Sequence, residues 1–177
     1  MSEIGIAYYT LGKYQEAINH HEQALSIWRE VYGERHPDVA TSLNNLGGTW
    51  GALGKYEKAI EHHEQALSIR REVYGERHPD VATSLNNLGG AWNALGKYEK
   101  AIEYYEQALS IDREVYGERH PDVARDLNNL GVAWHALGKY EKARKYLTMS
   151  YKMCVETLGE NHPNTLQVKG SLDSLPR

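Results

Sequence analysis

The chain has 177 residues, with 20 basic against 24 acidic side chains and a formal charge of −4. There is no basic excess to grip a phosphate backbone, so nucleic acid is not an expected partner. No apolar run approaches the ~20 residues a bilayer span needs, and MSEIGIAYYT lacks the basic-then-apolar order of a signal peptide. The lone Cys154 has no internal disulfide partner, which suits a reducing, cytoplasmic setting.

From the N-terminus, residues 1–37 read as a first unit that starts at Met1 inside a helix, without the counterpart of DVATSL. Residues 38–79 and 80–121 form a second and third unit that are near copies of 42 residues each. They differ at only five positions: Thr49/Ala91, Gly51/Asn93, His62/Tyr104, His63/Tyr105 and Arg70/Asp112. A fourth unit, 122–163, keeps the register through Gly131, Gly138 and His162-Pro163, and 164–177 begins a further helix. A fixed period of this size is the mark of a solenoid, in which each unit buries its apolar face only against its neighbours.

Each unit holds two helical patterns. In the third, Leu85, Leu88, Trp92 and Leu95 recur at spacings of three and four, which places them on one stripe. Gly96 suits a left-handed helix end. A second stripe then runs through Tyr98, Ala101, Ile102, Tyr105, Ala108, Leu109, Ile111 and Val115 to about Tyr116, and Gly117 is the stop. Pro121 opens the next helix, holds His120 extended, and leaves Asp122 at the positive end of the new helix dipole.

Leu85-x2-Leu88-Gly89-x2-Trp92, followed by Ala101-x3-Tyr105 and Ala108, resembles the tetratricopeptide repeat pattern. The motif recurs as Leu43, Leu46, Gly47, Trp50, Ala59, His63, Ala66 and as Leu127, Leu130, Gly131, Trp134, Ala143, Leu147. The first unit keeps Ile4, Gly5, Tyr8, Ala17, His21 and Ala24. The period exceeds the usual 34 residues, and the extended unit with SLNNLG and GERHPDVA resembles the kinesin light chain type of repeat. The resemblance implies an all-α fold, an α-solenoid (a tetratricopeptide superhelix) of antiparallel helix pairs. Lys169 stands where Leu127 stood and Asp173 where Gly131 stood, so the 164–177 segment is expected to be a polar-faced C-terminal capping helix and tail.

On a helical wheel the side opposite Leu85 and Leu88 carries Thr83, Asn86, Asn87, Gly90, Asn93 and Ala94. The resemblance implies that this side of successive first helices lines a concave peptide groove. Its rungs are Thr41, Asn44, Asn45, Gly48 and Gly51; then Thr83, Asn86, Asn87, Gly90 and Asn93; then Arg125, Asn128, Asn129, Val132 and His135. An asparagine amide can satisfy both the N–H and the C=O of an extended peptide. Gly48 and Gly90 leave floor space that Val132 fills, and Arg125 with His135 would favour an acidic ligand. Asn45, Asn87 and Asn129, at the edge of the face, have an alternative use in bonding to the adjacent helix.

The nine histidines do not read as a metal centre. His36, His78, His120 and His162 occur once per unit before proline, whereas zinc needs several ligands converging at about 2 Å. The adjacent pairs His20-His21 and His62-His63 point about 100° apart on a helix, and Tyr104-Tyr105 replaces them in the third unit, which argues for packing. Catalysis is not expected either, since Ser84, His78 and Asp80 have copies in other repeats and GERHP is not a phosphate loop. Trp28 is out of character at a position where Arg70 and Asp112 follow. The expected function is therefore a non-enzymatic interaction module, without cofactor or metal, that binds an extended peptide or partner protein. The alternatives are a spacer that self-associates through its uncapped N-terminal end, and the sensor arm of a larger multidomain signalling protein.

Overall fold

Each linker shows why its helix begins where it does. In the computed structural model, which describes residues 2–176, His78 is extended ahead of Pro79 with φ −108° and ψ 144°. Its Nδ1 accepts the backbone N–H of Asp80 at 3.1 Å, one of the orphan donors of a helix start. Its ring stacks on Tyr74 at 4.3 Å. The same imidazole cap recurs at His36, His120 and His162. The histidines before proline are thus capping and packing groups, one per linker.

The described residues form nine helices and no strand: α1 Ser2–Thr10, α2 Tyr14–Tyr32, α3 Pro37–Ala52, α4 Tyr56–Tyr74, α5 Pro79–Ala94, α6 Tyr98–Tyr116, α7 Pro121–Ala136, α8 Tyr140–Leu158 and α9 Pro163–Asp173. Met1 and Arg177, which close the first unit and the tail, lie outside the described residues. The first helix of each pair stops in a Schellman turn. Gly96 at φ +75° lets its N–H reach the carbonyl of Asn93, and the Lys97 N–H reaches that of Trp92.

Within a pair the helices approach closely because one register position is glycine. A Cβ added at Gly47 would sit 2.6 Å from the His63 ring, and at Gly89 2.5 Å from Tyr105. Around that contact Ala59, Ala101 and Ala143 are buried. Between pairs, α3, α5 and α7 are each gripped by the second helices on both sides. Val39, Leu43 and Leu46 of α3 pack with Ile18 and Leu25 of α2 and with Ala66 of α4, and α6 with α7 repeats the arrangement. First helices approach their counterparts in the next pair closely, α3 against α5 and α5 against α7. The second helices α4 and α6 instead meet through long side chains, Arg71 donating to Gln107 at 3.4 Å. The array therefore curves with first helices on the inside.

Surface pairs tie successive units together along the outer edge. Arg35 meets Glu72, Arg77 meets Glu114, and Arg119 reaches Glu156 at 3.8 Å. Such exposed pairs are worth roughly 0–1 kcal/mol each, so the stacked apolar layers carry the stability. Lys58, Lys100 and Lys142 each lie over the Trp one helix earlier, at 4.1, 4.1 and 3.8 Å from the ring of Trp50, Trp92 and Trp134. Trp28 is half-buried against the α2–α3 layer and stacks on Tyr32.

At the C-terminal end, α9 has 11 residues against 16 in the other proline-opened helices. Val168 and Leu175 are buried against α8, while Lys169 and Asp173 face outward. Leu175 lies beyond the helix, and the carbonyl of Pro176 accepts a hydrogen bond from Arg144. Arg144 occupies the register of the buried Ile60 and Ile102 and is itself exposed beside the tail that follows α9.

Candidate functional site

A groove of about 620 Å³ runs along the inner side of the array. Its walls come from the first helices: Ile6 and Tyr9 of α1, Asn44, Asn45, Gly48 and Thr49 of α3, Thr83, Asn86, Asn87 and Gly90 of α5, and Arg125 with Asn129 of α7. Its floor comes from the second helices, through His21, His63 and Tyr105. These three rings reach the groove because Gly5, Gly47 and Gly89 offer no Cβ to block them. Reading the His-to-Tyr exchange as packing is correct as far as it goes, but it missed that the packed rings surface in the groove. The clue in the sequence was the invariant glycine of the Leu-x2-Leu-Gly motif, sixteen residues before each of these rings.

The floor is uncharged. Burial, then the neighbouring His62 and Arg70, pushes the His63 imidazole down to about 4. Burial, with His20, lowers His21 as well. Burial, with the charge of Asp126, pushes the Tyr105 hydroxyl up to about 12. Over this floor Gly48 is open, with nothing within 4 Å of an added Cβ, and Gly90 would meet only the Tyr105 hydroxyl at 3.8 Å.

Four of the groove asparagines are not free amides. Asn87 donates through Nδ2 to Oδ1 of Asn44 at 2.7 Å, and Asn129 donates to Oδ1 of Asn86 at 3.2 Å. Asn86 in turn donates to Oδ1 of Asp126 at 2.7 Å and is itself buried. Of Asn45, Asn87 and Asn129, the last two bond to an adjacent helix, with Asn44 and Asn86 as their partners. Asn45 makes no such bond among the described residues and lines the groove. Each amide has two N–H donors, so Asn87 and Asn129 keep one apiece for a ligand.

Six expected groove residues lie apart from this cavity, among them Val132 and Gly51, the latter lining a separate space of about 230 Å³. Thr41 is exposed and donates to the carbonyl of Pro37. Asn93 and His135, with the former partly buried and the latter tilted on Tyr140 at 5.6 Å, sit toward the far ends of their helices. Asn128 lines a separate space of about 270 Å³ between α7 and α9, together with Arg125, Asn129, Asn164 and Gln167.

Arg125 is not the free cation its sequence position suggests. It donates to Oδ2 of Asp112 at 3.2 Å, to Oδ1 of Asp126 at 3.3 Å, and to Oδ1 of Asp122. Burial pushes the Asp112 carboxyl up. Burial, then the nearby Asp112 charge, pushes Asp126 up to about 7 against the pull of Arg125. Arg70/Asp112 is among the differences between repeats, and Arg125 stands where Thr41 and Thr83 stood, but the sequence alone does not join the two. The usable signal was that both ends of one register spacing change together, Arg70 with Ser84 and Asp112 with Asp126.

Among the described residues no group of three or more His, Cys, Asp or Glu is placed to hold a metal, and no helix is long and apolar enough to cross a membrane. A family model for the tetratricopeptide repeat matches residues 1–68, 51–114 and 86–154. Comparison with curated proteins finds no match. Among solved structures, a Podosopora anserina chain described as a kinesin light chain with nearly identical TPR-like repeats is 27% identical. Its TM-score is 0.81, over 97% of this chain and 81% of that one. BtubC (BKLC) from P. vanneervenii is 29% identical with a TM-score of 0.81, over 92% of this chain and 64% of that one. A Rap protein complexed with Competence and Sporulation Factor is 20% identical with a TM-score of 0.76, over 95% of this chain and 45% of that one, a likeness of fold alone.

Proposed function

The chain belongs to the tetratricopeptide repeat family, and on that premise we propose that it is a non-enzymatic interaction module whose inner groove holds an extended segment of a partner protein. The observation that carries this reading is the groove itself: about 620 Å³, walled by amides, floored by uncharged rings, and open above Gly48 and Gly90. Amides with a spare N–H suit a peptide backbone, and the glycine gaps suit its side chains.

The test is peptide display against the immobilised chain, followed by the double variant Gly48→Val and Gly90→Val. Valine already occupies this register as Val132, so the fold accepts it while the gap closes. Selected peptides should lose most of their affinity for the double variant with no drop in its Tm. Equal binding to both chains refutes the reading.

One observation favours a second reading, self-association through the first helix. Ile4 is 47% exposed, whereas its counterparts Leu46, Leu88 and Leu130 are at most 1% exposed beneath a preceding second helix. Light scattering over a dilution series separates the two, because a monomer at every concentration excludes stacking.

A further inference from the structure

The register that joins each second helix to the next first helix is one of the places where the repeats differ. It pairs Arg70 with Ser84, through a 2.9 Å hydrogen bond from the guanidinium to the hydroxyl, and one unit later it pairs Asp112 with Asp126. These two carboxyls are 2% and 0% exposed. Oδ1 of Asp126 accepts from Asn86 and Arg125. Oδ2 is buried, and no donor reaches it among the described residues. The Asp112 carboxyl lies beside it: one Arg125 nitrogen donates to Oδ2 of Asp112 at 3.2 Å and to Oδ1 of Asp126 at 3.3 Å, and the two carboxyls are hydrogen-bond partners. Ionised carboxylates only accept hydrogen bonds, so this contact is satisfied when one proton lies between them. Two buried carboxylates at that separation cannot cheaply both ionise.

Charged, titratable and polar groups surround that proton from every packed element. From α7 come Arg125 and Asp122, with His120 at its cap; from α6, besides Asp112, comes Tyr105, whose hydroxyl stays protonated. From α5 the contact is the neutral Asn86. On α8, Ser150 bonds the Ala124 carbonyl, and burial pushes the Cys154 thiol up, which keeps it neutral.

We propose that Asp112 and Asp126 share one proton and act as a positioning pair for Arg125 and Asn86, so that the groove's α7 end changes charge and hydrogen bonding when that proton leaves. With the proton in place, two negative charges face the Arg125 guanidinium. Without it three do, Arg125 is held more tightly to the pair, and this end of the groove turns against acidic groups. The effect on a ligand rests on the groove reading; the proton switch itself does not.

The test is nitrogen NMR of the full chain from pH 5 to 9, following the side-chain signals of Arg125 and Asn86. Both should move with one shared midpoint near 7, while the Asn44 amide stays still, because Ser84 occupies the Asp126 register there. In Asp126→Asn the midpoint should vanish. Should that variant not fold, Asp126→Ser, the residue carried at this register by the two preceding units, takes its place, with circular dichroism confirming helix. Signals that do not titrate, or a midpoint that survives the substitution, overturn the proposal. Two display-selected peptides differing by one Glu-to-Gln exchange then test the groove at pH 6 and 8. The acidic one should weaken at least about threefold relative to the other, the size of a unit charge acting across roughly 7 Å of water-like dielectric. A midpoint with no peptide binding at any pH leaves the switch standing and removes the groove reading.

Discussion

Replacing His63 with tyrosine should remove an acid sensitivity built into the second helix pair. His63 is 5% exposed, and its pKa falls from 6.5 to about 4 in the folded chain. The unfolded chain therefore takes up a proton first as pH drops. Stability is untouched above pH 6.5, declines as pH falls through the window between 6.5 and 4, and is flat below it. At one unit per 1.36 kcal/mol, the loss is about 2 kcal/mol at pH 5 and close to zero at pH 7.5. Tyrosine is the resident of this register one unit later, where Tyr105 packs on Gly89 as closely as His63 packs on Gly47. It carries no charge to lose in acid. For a chain of this size 1 kcal/mol moves Tm by about 2–4 °C. The Tm of His63→Tyr minus that of the parent should therefore be about 4–8 °C larger at pH 5 than at pH 7.5. His21 and the Asp112–Asp126 pair titrate alike in both chains and cancel from the comparison. Equal differences at the two pH values would refute the assignment of a buried neutral imidazole.

Two further substitutions probe the packing. Gly47→Ala should cost about 1–3 kcal/mol, because its methyl group meets the His63 ring at 2.6 Å, whereas Gly48→Ala should gain up to about 1 kcal/mol from helix propensity alone. Urea denaturation measures both, and a shared sign for these adjacent glycines contradicts the close-approach argument. Arg70→Asp, which copies the residue of the next unit, should destabilise by about 1–3 kcal/mol. It strips a donor from Ser84 and from the Asp80 carbonyl without supplying the arginine that Asp112 meets in Arg125. Unchanged stability would show that the junction residues are interchangeable.

Much of the fold was legible because its signals are local. A stripe from Tyr98 to Tyr116 predicts the helix that α6 forms over those same residues. Glycine with positive φ and proline at a helix start act within a single turn, so one unit suffices to place them. The imidazole caps follow the same logic, spanning two residues. The polar outer face of α9 was equally visible, as Lys169 and Asp173 in place of Leu127 and Gly131. Its shorter length was not, because Leu175 folds back beyond the helix to complete the buried layer against α8.

The groove was legible only in outline. The helical wheel identifies the inner face, yet it treats Asn44, Asn86 and Asn128 as equivalents. In the fold Asn44 accepts from Asn87, Asn86 both accepts and donates, and Asn128 faces the short α9, where Ser171 stands in the place of Asn129. Those bonds cross 40 to 43 residues, so they depend on what the next unit presents and not on the helix that bears the amide. The same holds for Arg125, an apparent ligand cation whose charge is committed to Asp112, Asp122 and Asp126. By itself the sequence determined the period, the helices, their caps and the inner face, since each arises from backbone rules acting over a few residues. The tertiary structure alone decided which polar groups are spent on one another and which remain for a partner, because stacking sets distances between residues a full repeat apart.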